Sequence, residues 1–159
     1  MATRLQLQHG LSLIELLVYG LITGLLLVSA VPLGQDFYQK NRVTTAADAL
    51  EAAIHYARNK ALISNKALAL APLDGESWSS GMVLFEDNRA HRFRPGDLSL
   101  HEWAWHYEGL DIRWHGFQSH AYLVFAPQLR HASANGKFTI YSPSYQKTLV
   151  LNRLGHVHE

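Results

Sequence analysis

An uncharged run, residues 16–35, lies between Glu15 and Asp36 and constrains the fold more than any other stretch of the chain. As an α-helix rising about 1.5 Å per residue, this run would span roughly 30 Å, the hydrocarbon thickness of a bilayer. It therefore predicts a membrane-crossing helix. Two neighbours distinguish it from a simple anchor. The Glu15 carboxylate stands at its edge, where an unpaired charge is costly, and Gly10 precedes it at a small-residue position suited to peptidase cleavage.

The residues around this acid resemble a known processing signal. The stretch Gly10-Leu11-Ser12-Leu13-Ile14-Glu15-Leu16-Leu17-Val18 is similar to the signal of type IV pilins and pseudopilins, although Leu11 stands where the family usually has Phe. In that family a polar leader ends in Gly, a prepilin peptidase cuts after it, and the new N-terminus is usually methylated. The resemblance implies cleavage between Gly10 and Leu11, N-methylation of Leu11, and an assembly role for Glu15.

Cleavage would create a positive α-amino group on Leu11, one helical turn before the carboxylate of Glu15. In a filament, Glu15 of one subunit can pair with the N-terminus of its neighbour, which offsets the cost of burying either charge alone. The alternative is a plain signal anchor in which Glu15 reaches the lipid headgroups. An anchor needs no acid at this position, so we favour the paired arrangement.

Beyond the uncharged run, the sequence predicts that the helix continues out of the membrane. Pro32 is expected to kink it. Apolar residues then recur at spacings of three and four, which is typical of one face of an amphipathic helix. That face consists of Val43, Ala47, Leu50, Ile54, Ala57 and Ala61. The helix is expected to end near Ser64, with Asn65 as its stop, and a sheet must follow to cover the apolar face.

After Asn65 the apolar period changes from about 3.6 to 2, which indicates strands. The predicted strands are 66–71, 81–85, 110–114, 121–126, 137–142 and 147–152, with 90–94 as a further candidate that pairs with 81–85. The aromatic-rich stretch 98–107 fits no single assignment. The sequence thus predicts an α+β fold, a long N-terminal helix packed on one or two antiparallel sheets. Its segments are a leader at 1–10, a transmembrane assembly helix at 11–35, an amphipathic helix at 36–65 and a β-rich domain at 66–159.

Two further sequence blocks indicate which branch of the pilin-like proteins the chain resembles. The segment Trp78–Asp87 resembles the W-x-x-G-(hydrophobic)-x-x-F-x-D block of the FimT/GspH branch of pilin-like proteins, and Ala134–Ile140 is similar to its N-G-x-F strand. FimT-type minor pilins of type IV pili commonly end in Gly-Arg-x-Arg. Here Gly155 matches, whereas His156 and His158 occupy the two arginine positions.

The charge distribution suggests a partner. The whole chain has 14 Lys and Arg against 13 Asp and Glu, so its net charge does not predict a binding partner. From Ile112 to His158, however, five Lys or Arg and five His occur without a single acid, which is typical of a polyanion-binding surface. The resemblance implies double-stranded DNA, since FimT-like minor pilins are implicated in DNA capture during natural transformation through basic C-terminal residues. The candidate DNA-binding residues are Arg130, Lys137, Lys147, Arg153, His156 and His158.

The two C-terminal histidines make such binding dependent on pH. Histidine carries its charge mainly below about pH 6.5, whereas arginine is always charged. The i, i+2 spacing of His156 and His158 places both on one face of an extended segment. The alternative is an ordinary solvated tail that contains few acids by chance.

Other patterns give no support for catalysis, a cofactor or a metal. The stretch 101–106 resembles H-E-x-x-H only superficially, because its second His follows at the fifth position. His156 and His158 alone supply too few metal ligands. The tryptophans are expected in the core, with base stacking as the alternative; they are Trp78, Trp103, Trp105 and Trp114. No nucleophile elbow or phosphate-binding loop is visible, so a protein without enzymatic activity is predicted.

With the resemblance included, the sequence predicts a minor pilin of the FimT type. It would be cut by prepilin peptidase and held in the bacterial inner membrane by a single span with its C-terminal domain in the periplasm. It would join other pilins in a pilus or its tip, with DNA as a candidate ligand in transformation. One alternative is a GspH-type minor pseudopilin of type II secretion. A second is a membrane-anchored ligand- or metal-binding domain, in which Gly10 would stay uncut.

Overall fold

The computed structural model describes residues 12–94, 96–105, 107–128, 132 and 134–158, and of these leaves the side chains of 29–33 undescribed. The predicted cleavage site at Gly10 and Leu11 and the candidate Arg130 lie outside the described residues, and so does the side chain of Pro32. The chain divides into two compact units, Met1–Phe37 and Tyr38–Glu159.

One helix, α1, extends from Leu13 to Ser64 and belongs to both units. Its predicted apolar face is confirmed, because all six residues of that face are buried, together with Ala46 and Ala53. The end of the helix is also confirmed. Asn65 adopts a left-handed backbone conformation with φ of 53°, and the N–H of Lys66 donates to the carbonyl of Ala61 at 3.3 Å. This geometry is a common way to satisfy the last carbonyl groups of a helix.

Two four-stranded antiparallel sheets and one short 3-10 helix, Trp78–Ser80, follow α1 in the described residues of the second unit. The strands are β1 Leu68–Pro72, β2 Gly81–Glu86, β3 Ser99–Ala104, β4 Asp111–Gly116, β5 Leu123–Phe125, β6 Gly136–Tyr141, β7 Gln146–Leu151 and β8 Val157–His158. The first sheet has the order β3-β2-β1-β5 and the second β4-β6-β7-β8. The predicted α+β class with antiparallel sheets is therefore confirmed.

The strand predictions differ from the structure in three places. The unassigned stretch 98–107 contains β3, which pairs with β2. The C-terminal tail forms β8, which pairs with β7. The predicted strand 90–94 is wrong. Instead of pairing, its backbone bonds to side chains: Asn88 Nδ2 donates to the carbonyl of Arg92 at 2.8 Å, and Asp97 Oδ2 accepts from the N–H of Arg94 at 2.9 Å. Such local bonds compete with a strand ladder.

The main core lies between the second half of α1 and the inner faces of both sheets. Leu50 and Ile54 of the helix, Leu84 of the first sheet and Phe138 and Leu149 of the second have no exposed surface. The tryptophans confirm the core interpretation. Trp78 and Trp114 are buried members of this cluster, and Trp103 and Trp105 pack against it. The other face of the first sheet carries a second, smaller buried cluster, which includes Val83, Phe85 and Val124.

Candidate functional site

The first unit offers an apolar helix surface that its own chain does not cover. Every large hydrophobic side chain from Leu13 to Val28 is exposed, by between 49% and 82%. Glu15 lies in the first turn of α1 and is also exposed. A continuous apolar surface of this kind marks a site of contact with other chains or with lipid. Within the described ranges, no helix combines the length and the apolar character that crossing a membrane requires.

In the second unit, strand register brings several of the basic candidates together. Residues opposite each other in antiparallel strands place their side chains on the same face, with Cβ atoms about 5 Å apart. One such row crosses the second sheet from β4 to β8 and consists of His115, Lys137, Val150 and His158. All four side chains are exposed. At the usual spacing of about 4.8 Å between strands, the row spans roughly 14 Å.

This basic row extends at both of its ends. His156 is exposed and immediately precedes β8, whereas His158 lies within it, so the placement of both histidines on one face of an extended segment stays a prediction. The ring of His120 lies 5.6 Å from that of His115. Phe117, in the loop that follows β4, is 87% exposed, and its N–H donates to the carbonyl of Asn135. The row therefore has imidazoles at each end and an exposed aromatic ring nearby.

The neighbouring positions on the same face are less basic. Arg113 of β4 lies over the ring of Tyr141 at 5.3 Å, and its guanidinium forms an ion pair with Asp111 at 2.6 Å. Its charge is thus largely balanced locally. Among the described residues Lys137 has no ion-pair partner, so this ammonium group is the main positive charge of the row at neutral pH.

The structure separates other candidates from this row. Lys147 lies opposite the buried Ile140, so its side chain is on the inner face of the sheet. It is half-buried. Arg153 lies in the turn between β7 and β8, beside Arg58 of α1. The basic tail predicted from the sequence is therefore two surfaces, the outer-face row and the turn around Arg153.

Sequence reasoning did not select His115 and His120, although both lie in the acid-free span. Alternation within β4 shows that His115 faces outward, but only the pairing of β4 with β6 places it beside Lys137. No local pattern in the sequence carries that pairing. In the described part of the chain, no group of three or more His, Asp or Glu is arranged to hold a metal ion.

Comparisons with known proteins agree with this architecture. A family model described as type II transport protein GspH matches residues 46–155. That match includes both motif blocks and the seven strands β1 to β7. Comparison with curated protein sequences finds no match.

Two crystal structures of the type IV minor pilin FimU of Pseudomonas aeruginosa strain PAO1 are similar in fold. The form in space group P21 gives a TM-score of 0.59 at 17% identity, covering 77% of this chain and 90% of that one. The form in space group P65 gives a TM-score of 0.53 at 16% identity, covering 72% and 90%. The fold, a long helix packed on two antiparallel sheets, is thus that of a pilin.

Proposed function

Because the chain belongs to the GspH family of pilin-like proteins, we propose that it is a minor pilin of a type IV pilus. Members of this family are structural subunits rather than enzymes, and membership implies association with other pilins or pseudopilins. The observation that carries the proposal is the exposed apolar surface from Leu13 to Val28, which is stable only against lipid or other helices. A second compact unit follows this surface in the chain, and in the proposal it is the part that the filament exposes to other molecules.

In this proposal the N-terminus performs assembly. Prepilin peptidase cuts between Gly10 and Leu11, the new amino group is methylated, and residues 11–35 hold the subunit in the inner membrane until it enters the filament. The second unit then lies in the periplasm. Glu15 pairs with the N-terminus of a neighbouring subunit and sets the register between them, because both charges are costly to bury alone. This part rests on the processing signal and the uncharged run.

A GspH-type pseudopilin of type II secretion is the second candidate, and the description of the matching family favours it. Deletion of the gene separates the two. Loss of surface pili or of pilus-dependent movement, restored by the intact gene, supports the minor pilin. Loss of protein secretion with normal pili supports the pseudopilin. Presence of the chain in sheared pili gives the same distinction biochemically.

We also propose that the outer face of the second sheet presents a DNA-binding surface, with Lys137 at its centre and His115, His156 and His158 beside it. What supports this is the row itself, in which strand register collects basic side chains; the acid described on the same face, Asp111, is paired with Arg113. Phosphate contacts by such groups release counterions, so binding weakens steeply with salt. Histidine side chains in general gain positive charge between pH 8 and pH 6, so tighter binding at the lower pH is expected.

Titration of the full chain, held in detergent micelles, with duplex DNA tests this surface. The measurement is made at pH 6 and pH 8, each at two salt concentrations. We expect salt-sensitive binding that is tighter at pH 6. Absence of binding at both pH values would exclude DNA as a ligand and leave a purely structural minor pilin or a pseudopilin.

A further inference from the structure

A small cleft lies at the end of the second unit where α1 meets the turn between β7 and β8. Its volume is about 130 Å³, which is the size of one side chain. Two arginines line it, Arg58 from α1 and Arg153 from the turn, and the other described lining residues are largely apolar. They are Leu62, Phe125, Ala126, Pro127, Ala132 and Leu154. None of these residues belongs to the basic row on the outer face.

The turn that carries Arg153 is held in place before any ligand arrives. Asn152 Oδ1 accepts from the N–H of Leu154 at 2.9 Å and from that of His156 at 3.0 Å. The N–H of Gly155 donates to the carbonyl of Asn152 at 2.9 Å. Gly155 has a φ of +72°, and a Cβ at this position would lie 3.0 Å from Arg58 Cδ and 3.2 Å from Phe125 Cε1. Glycine thus lets the turn pack closely against the cleft.

The described residues provide no acid that balances the positive charge of the cleft. Within the described residues, neither Arg58 nor Arg153 has an ion pair or a hydrogen bond to an acid. Arg58 is half-buried, whereas Arg153 is exposed. Two arginines that line one cleft favour an anion there, which can accept hydrogen bonds from the N–H groups of both.

The walls and rim indicate the kind of anion. Leu62 and Leu154 are 49% and 47% exposed, and Ile63, the next residue of α1, is 84% exposed. Exposed aliphatic side chains around arginine are characteristic of protein–protein interfaces, whereas DNA interfaces are more polar. A concave pocket for one side chain also suits a carboxylate on an aliphatic stem better than a phosphodiester backbone.

We propose that this cleft binds an acidic side chain flanked by aliphatic residues in a neighbouring protein chain. The carboxylate would accept hydrogen bonds from Arg58 and Arg153, and the flanking residues would cover Leu62, Ile63 and Leu154. The proposal does not depend on DNA binding or on which filament contains the protein. It gives Arg153 a role in binding another protein chain, separate from the DNA binding proposed for the basic row.

Short peptides test the cleft with matched controls. The full chain in detergent micelles is titrated with acetyl-Ala-Leu-Glu-Leu-Ala-amide, with the peptide in which Gln replaces Glu, and with the one in which Ser replaces both Leu. We expect only the first to bind measurably. Arg58→Gln and Arg153→Gln each weaken its binding about tenfold or more, the effect of losing a charged hydrogen bond. Lys60→Gln, which removes an exposed cation of the same helix outside the cleft, leaves binding unchanged.

A further variant distinguishes loss of binding from loss of the folded structure. Leu154→Asp places a carboxylate at the half-exposed rim, where it competes for both guanidinium groups, and should abolish peptide binding at an unchanged thermal midpoint. Equal binding of the Glu and Gln peptides, or no binding of any peptide at millimolar concentration, would overturn the proposal. So would a tenfold loss of duplex DNA affinity in Arg58→Gln without any peptide binding, because the cleft would then be a phosphate site.

Discussion

The indole of Trp114 packs over Gly136 on the facing strand, so closely that a Cβ on residue 136 would stand 2.5 Å from Trp114 Cη2. The same Cβ would lie 2.4 Å from the carbonyl oxygen of His115. Trp114 also contacts Phe138, with 4.6 Å between the ring centroids, and its Nε1 donates to the carbonyl of Ser119 at 2.8 Å. The N-G-x-F block is therefore a packing unit: its glycine makes room for the indole against which its phenylalanine packs.

Substitution Gly136→Ala should destabilise the second unit by about 1–3 kcal/mol, since neither the indole nor the backbone of β4 can move aside without strain. Urea unfolding of the full chain, followed by tryptophan fluorescence, measures the effect. Lys137→Ala, a change at the next and exposed residue of the same strand, should alter the free energy of unfolding by less than about 0.5 kcal/mol. Equal stability of Gly136→Ala and the parent chain would contradict the packing explanation.

Asp74 should contribute a pH-dependent part of the stability. Its carboxylate accepts hydrogen bonds from the backbone N–H of Ser77 at 2.8 Å and of Glu76 at 2.9 Å, which lowers the pKa of Asp74 below its ordinary value of 3.8. Because the folded state favours the ionised form, the stabilisation is present above the ordinary pKa and is lost as pH falls through the lowered one.

Replacing this carboxylate tests the effect. We expect Asp74→Ala to lower the free energy of unfolding at pH 7 by about 0.5–1 kcal/mol, a small value because solvent screens an exposed group. Asp74→Asn keeps an acceptor oxygen and should cost less. The urea midpoints of the parent chain and of Asp74→Asn should approach each other as the pH falls through the lowered pKa, because a protonated carboxyl resembles the neutral amide. A difference that stays constant between pH 7 and pH 2 would show that the charge of Asp74 plays no part.

Glu15 is expected to act in assembly rather than in membrane insertion. Glu15→Ala should leave the protein in the membrane fraction, because removing a charge makes insertion easier. The same variant should be depleted from sheared filaments, since the neighbouring N-terminus loses its partner. Asp36→Ala, which removes the acid at the other end of the uncharged run, serves as the control. Incorporation of Glu15→Ala at the parent level would refute the proposed pairing.

The basic row predicts two separable effects on DNA binding. Lys137→Gln should weaken binding at pH 6 and at pH 8 and reduce the slope of log affinity against log salt by about one unit. The double variant His115→Gln, His158→Gln should reduce affinity only at pH 6, because imidazoles are largely uncharged at pH 8. Arg89→Gln, an exposed cation in the loop after β2, is the control. His156 remains in this variant, so the pH dependence should shrink; if it were unchanged, the row would not be the site.

Local patterns predicted much of this fold. The spacing from Val43 to Ala61 defined the buried helix face, and Asn65 marked its end, because both features depend on a helix's own geometry. Strand pairing depends on residues far apart in sequence. For that reason β8 was missed: it is two residues long, and the packing of Val157 against the core helps to hold it against β7.

In the candidate site, too, the local sequence predicted some features, whereas others depend on contacts between residues far apart in the chain. The absence of acids between Asp111 and Glu159 identified the basic region, but the face on which each cation lies follows from register. Lys137 and Lys147 look equivalent in sequence, yet one faces outward and the other inward, since they lie opposite Val150 and Ile140. Likewise, nothing in the sequence links Arg58 to Arg153, which become neighbours only when the turn packs against α1.

The intact mass of the protein recovered from sheared filaments tests the central claim most directly. A processed pilin subunit should have lost residues 1–10 and gained the mass of one methyl group on Leu11, with fragmentation placing that methyl on the new N-terminus. A chain that retains Gly10, or is found only in the membrane with its leader intact, would contradict the assignment as an assembled pilin and favour a plain anchored domain.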